Sequence, residues 1–138
     1  MNRRELRTHI FKILFEVEFR EPDEMTELTE LYISSLSEVS FDDSAYISQK
    51  CSNIFDKLSV IDQDINDVAV GWKTSRMNKV DLAILRLAVF EIYFDEEVPD
   101  KVAVNEAVEL SKEYSTPESA AFVNGILASI VRKTANGN

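Results

Sequence analysis

Apolar residues recur along this chain at spacings of three and four, the period that turns one side of an α-helix toward a core. Leu6, Ile10, Ile13, Leu14 and Val17 mark a first helix over roughly Arg3–Phe19. Pro22 sits where a second can begin, with Leu28, Leu31, Tyr32 and Leu36 on its face. Asp42, Asp43 and Ser44 are cap candidates for a third, which carries Tyr46, Ile47, Cys51, Ile54, Phe55 and Leu58. Ile61, Ile65, Val68 and Ala69 give a short fourth, stopped near Gly71. Asn78 reads as the cap of a fifth with Val80, Ile84, Leu87, Ala88 and Ile92, and Asp81 completes a weak capping box. Val102–Tyr114 makes a sixth, and Thr116-Pro117 starts a seventh that ends before Gly137. About seven helices with short connections predict an all-α, compact bundle.

Composition agrees. The 138 residues suit one domain, and the hydrophobic share of 45% suits a folded core. Three Gly and three Pro are too few for a turn-dense sandwich or barrel, or for a Gly-rich phosphate loop. A single cysteine excludes an internal disulfide. The longest uncharged run, 119–131, falls short of the ~20 residues that span a bilayer. The basic N-terminus is broken by Glu5, Glu16 and Glu18 and has no signal-peptide pattern. A cytoplasmic protein without membrane contact is the expectation.

Charge changes the picture only once its distribution is seen. A net charge of −10 points away from nucleic acid. Yet residues 1–20 hold five basic residues against three acids, whereas 21–70 hold twelve acids against Lys50 and Lys57. The acidity is confined to the middle, and the start is locally basic.

No catalytic, metal-binding or cofactor constellation stands out. His9 and Cys51 are the sole members of their kinds; the first falls on the polar side of its helix and the second on an apolar face as a core thiol. Asp42-Asp43 and Asp95-Glu96-Glu97 read as solvated loop acids. On the first helix, 100° per residue places Arg4, Arg7, Phe11 and Phe15 in one strip beside the core stripe. Two readings stay open for that strip. Arginines can clamp phosphates while an aromatic stacks on an unpaired base, or the phenylalanines are core and the arginines snorkel past them.

The second half is more specific. Trp72, Arg76 and the run from Val80 to Ile92 precede Val98-Pro99, then Val102-Ala103-Val104-Asn105-Glu106-Ala107-Val108-Glu109-Leu110-Ser111-Lys112, and finally Phe122-Val123-Asn124-Gly125-Ile126-Leu127. In this order and spacing they resemble the NusB family of bacterial transcription antitermination factors, as does the Arg-rich first helix. The resemblance spans the chain and is weakest from about 21 to 60. It implies one NusB-like domain over 1–138, all-α and of two small lobes, about 1–70 and 71–138. It implies a non-enzymatic role without cofactor: binding boxA-type RNA of nascent ribosomal transcripts with NusE, a small-subunit ribosomal protein, and joining the RNA polymerase elongation complex with other Nus factors.

By position the family's RNA-binding residues carry to Arg3, Arg4 and Arg7, and its aromatic to Phe15. A second region carries to Glu118, Ser119, Phe122 and Asn124 at the start of the last helix. A free helix start suits phosphate; Glu118 suits a base amino group instead. Each has a plainer reading: Ser119 as a first-turn hydrogen-bond partner, Phe122 as core, Asn105 and Glu106 as ties to a neighbouring helix, Gly125 as a point of close helix approach. Ser115, Glu118, Ala121 and Lys12 depart from common family residues. A protein-only adaptor is the competing reading; a methyltransferase context would need a second chain, and monomer or homodimer is left open.

Overall fold

A computed structural model describes residues 1–71 and 73–135; Trp72 and Gly137, both used above, lie outside the described residues. Six α-helices carry the fold: α1 (Arg3–Phe15), α2 (Met25–Ser34), α3 (Phe41–Val68), α4 (Lys79–Phe94), α5 (Asp100–Tyr114) and α6 (Pro117–Ala135). Short 3₁₀ turns at Glu16–Phe19, Pro22–Glu24 and Thr74–Arg76 complete it, with no strand among the described residues. No helix there is long and apolar enough to cross a membrane.

The expected third and fourth helices are one. From Ile47 the apolar positions run 51, 54, 58, 61, 65 and 68, alternating steps of four and three with no Gly or Pro between. Nothing in that stretch breaks the helix, and α3 continues for 28 residues. Its start also differs from expectation. Ser40 is the cap, its Oγ accepting from the Asp43 backbone N–H at 3.1 Å, and Asp42 and Asp43 lie in the first turn. Beyond α3 the chain turns at Gly71, whose φ of +82° suits a residue without Cβ.

The chain forms two compact units, Met1–Asp56 and Lys57–Asn138. In the first, α1 packs on α2. Asn2 and Glu5 form a full capping box at the start of α1, which fixes where Arg3 and Arg4 stand. Leu6, Ile10, Phe11, Ile13 and Leu14 are buried, so Phe11 belongs to the core. His9 is half-buried rather than solvated, with Nδ1 2.7 Å from the Tyr32 hydroxyl of α2. Cys51 is fully buried, and burial pushes its thiol up to about 12.

In the second unit, α4 packs against both α5 and α6. Every residue from Asp81 to Glu91 is buried, the mark of a helix enclosed on all sides. Charge inside such a helix needs partners. Arg86 has one in Asp62 of α3, with Nε and Nη2 donating to its two carboxylate oxygens at 2.9 and 2.7 Å. A planar guanidinium fits a carboxylate in this two-pronged way, and Lys does not.

Two outcomes follow. Asp62→Ala leaves the buried guanidinium without its carboxylate, so urea denaturation should show a loss of about 2–3 kcal/mol. Burial, then the nearby Lys12 charge, lowers the His9 pKa below its ordinary 6.5. The unfolded chain therefore takes up the proton first, and stability present above pH 6.5 declines as pH falls below it. Thermal melts at pH 7.5 and 5.5 should show a larger loss for the native chain than for His9→Gln.

Candidate nucleic-acid interface

Of the residues expected to bind RNA, Arg3, Arg4, Arg7 and Phe15 lie in the first unit and Glu118, Ser119, Phe122 and Asn124 in the second. Each group is described by itself.

In the first unit, Arg3 and Arg4 are exposed at the start of α1, whereas Arg7, one turn on, is 8% exposed. Phe15 is half-buried and packs against Phe19, ring centroids 5.2 Å apart. Phe19 itself is exposed, so the pair presents an aromatic surface just past the end of α1. Arg3 reaches α3: its Nη1 donates to the Tyr46 hydroxyl at 3.2 Å, with the guanidinium 5.3 Å from the ring centroid.

In the second unit, the organising group is Asp81. The expected capping box does not form. Asn78 caps α4 alone, its Oδ1 accepting from the backbone N–H groups of Val80 and Asp81 at 2.8 and 3.4 Å. The Asp81 carboxylate turns instead toward the start of α6. Its oxygens accept from the Ser115 and Ser119 hydroxyls at 3.0 and 2.9 Å. Thr116 accepts from the Ser119 backbone N–H at 3.1 Å, as expected of a residue preceding a Pro at the first helical position. Ser119 is thus buried and engaged within the protein.

This tie places a cavity of about 240 Å³ between the start of α4 and the first turns of α6, lined by Met77, Asn78, Asp81, Glu118, Ser119 and Phe122. It is smaller than the ~300–1,000 Å³ of drug-sized sites and suits a single planar heterocycle. Met77 and Phe122 supply apolar walls. With its Oδ1 held by the α4 cap, Asn78 has its amide N–H groups left to donate. The exposed Glu118 carboxylate accepts only. A donor and an acceptor at the rim of an apolar slot are the means by which proteins read the edge of an unstacked base.

Asn124 does not join this cavity. Positions two apart on a helix face different ways, and Asn124 is exposed on the face of α6 that also carries Ala121 and Gly125. A Cβ built at Gly125 meets nothing within 4 Å, so this glycine serves no close approach among the described residues, contrary to expectation. Asn105 is exposed as well, while Glu106 is half-buried. Sequence reasoning missed Met77 and Asn78 as cavity walls, although the Asn cap was visible. It also missed Phe19, four residues after Phe15, and Tyr46.

A family model described as the NusB family matches residues 4–132. The chain belongs to the NusB family. A curated relative, the transcription antitermination protein NusB of Agathobacter rectalis, is 48% identical over 93% of this chain and 98% of its own length. Among solved structures, NusB of T. maritima superposes with a TM-score of 0.87 at 34% identity, covering 96% of this chain and 92% of that one. The fold is also shared, at 23% identity and a TM-score of 0.84, with a structure of antitermination factors NusB and NusE in complex with dsRNA, covering 95% of this chain and 96% of that one.

Hydroxyl and carboxylate at the start of α6 should separate by role. Ser119→Ala removes a hydrogen bond to a buried carboxylate and should cost about 1–2 kcal/mol in urea denaturation. Glu118→Ala, at an exposed position, should stay within about 0.5 kcal/mol.

Proposed function

We propose that this member of the NusB family is a transcription antitermination factor that binds boxA-type single-stranded RNA of nascent ribosomal transcripts together with NusE and joins the elongating RNA polymerase complex with other Nus factors. The name carried by its relatives and the fold shared with a NusB–NusE–dsRNA complex support the reading. The observation that carries it is the slot between Asn78, Glu118 and Phe122, sized for one base and edged by a donor and an acceptor. It is a binding protein and not an enzyme, and its work on nascent transcripts places it in the cytoplasm.

Roles divide by placement. Arg3 and Arg4, exposed, meet phosphates; Arg7 supports them from a buried position. Phe15 with Phe19 offers a stacking surface. Phe122 stacks on a base in the slot, and Glu118 accepts from its amino group. Ser119 is a positioning residue, and Asn124 contacts the complex from a different face of α6.

Binding to boxA RNA and to a scrambled RNA, with and without NusE at moderate salt, tests this. The reading predicts preference for boxA that NusE strengthens. Phe122→Ala should weaken boxA binding by roughly 10-fold, since base stacking on an aromatic is worth about 1–3 kcal/mol. Equal affinity for both RNAs in both settings contradicts it. Partner binding that survives Arg4→Glu with full function would favour a protein-only adaptor.

A further inference from the structure

A second cavity, of about 420 Å³, opens on the first unit between α2 and the start of α3. Ile33 of α2, with Leu36 and Val39 of the connection, gives it apolar walls; Glu30 of α2 and Ser44 and Ser48 of α3 line its sides. None of the residues assigned above to RNA lines it. The connection bends to make it: Glu38 has a φ of +60°, a left-handed conformation unusual for a residue with a Cβ, and it stands between the two apolar residues that face the cavity.

The apolar surface extends beyond the cavity along both helices. Residues three or four apart on a helix are neighbours, so Phe41 adjoins Ser44 on α3, and Leu31 adjoins Ser34, another lining residue, on α2. Phe41 is 86% exposed and Leu31 60%. Single exposed apolar side chains are ordinary, but two that flank an open apolar cavity make one patch, and such patches mark sites of association.

The charge around this patch has one sign. Residues 21–49 hold eight acids and no Lys, Arg or His. Glu21 and Glu24 are engaged in the capping box before α2, and Asp43 holds the Met1 amine at 2.8 Å. Glu27, Glu30, Glu38 and Asp42 are exposed and pair with no cation among the described residues. Like charges gathered on one surface repel one another. A cationic ligand relieves that repulsion, whereas a nucleic acid or an anionic membrane adds to it.

We propose that this cavity docks a basic amphipathic segment of a protein partner, with apolar side chains entering between Ile33, Leu36 and Val39 and Lys or Arg groups meeting Glu27, Glu30 and Asp42. Helix-in-groove recognition takes this form, with apolar anchors at helical spacing seated in a groove. The proposal stands apart from the RNA-binding reading and does not rest on it.

The test titrates the full chain with a synthetic Lys/Leu peptide of helical spacing, and with a counterpart in which each Leu is Ser. Amide chemical shifts locate the site, and calorimetry gives Kd. The Lys/Leu peptide should shift Ile33, Leu36, Val39 and Ser44, and the Lys/Ser peptide should bind at least about 10-fold more weakly. Glu30→Lys should weaken the Lys/Leu peptide about 3–10-fold. Ser48→Trp, which fills the cavity from an exposed position, should weaken it at least as much without changing charge. Circular dichroism verifies that both variants fold; both positions are exposed on helices, and either variant alone suffices for the test. Equal affinity for the two peptides reduces the surface to general charge attraction and overturns the site. So does native affinity in Ser48→Trp, or a set of shifts confined to other residues. Self-association of the native chain that is lost in Glu30→Lys would assign a second copy as the occupant and overturn the partner.

Discussion

The candidate base slot depends on one carboxylate. Asp81 is buried on α4, and its two oxygens are taken by hydroxyls from the residue that caps the end of α5 and from the first turn of α6. A buried carboxylate without donors would be costly, so the pairing fixes the start of α6 against α4. Glu118 and Phe122 project from the turns so held, and Asn78 from the cap of the helix that carries Asp81. The walls of the slot are thus set by a lining carboxylate whose oxygens already accept from protein hydroxyls.

The first unit solves a comparable problem with different chemistry. Its α1 begins where Asn2 and Glu5 satisfy the free N–H groups, and Tyr46 of α3 anchors the first arginine of the helix. Positive charge is thereby held in place at one end of a chain whose net charge is −10. Acidity elsewhere repels polyanions, so binding by these few cations is local and weakened by salt. A protein partner that adds contacts fits such a design, since weak intrinsic affinity also suppresses indiscriminate binding.

Much of the fold was legible because helical period is a local property. Five of the helices lie where the spacing of apolar residues puts them, and the family resemblance rests on runs that fall in α4, α5 and α6. The division of α3 was an error against a visible signal, since its steps of four and three never break. The capping box was placed at Asn78 and Asp81 because the spacing fits, but the acid has stronger partners 34 and 38 residues away. Distance along the chain also hid Tyr46 as the partner of Arg3, 43 residues apart. Burial separated Phe11 from Phe15 and Arg7 from Arg4, which a helical wheel sets in one strip. Gly125, expected to admit a neighbouring helix, faces open space.

The most direct test of the account is photo-crosslinking of boxA RNA to the full chain in the presence of NusE, with the attachment sites mapped by mass spectrometry. The account predicts attachment at the aromatic residues of the two surfaces, Phe15 or Phe19 in the first unit and Phe122 in the second. Attachment confined to the acidic α2, or to the outward face of α5, would contradict it.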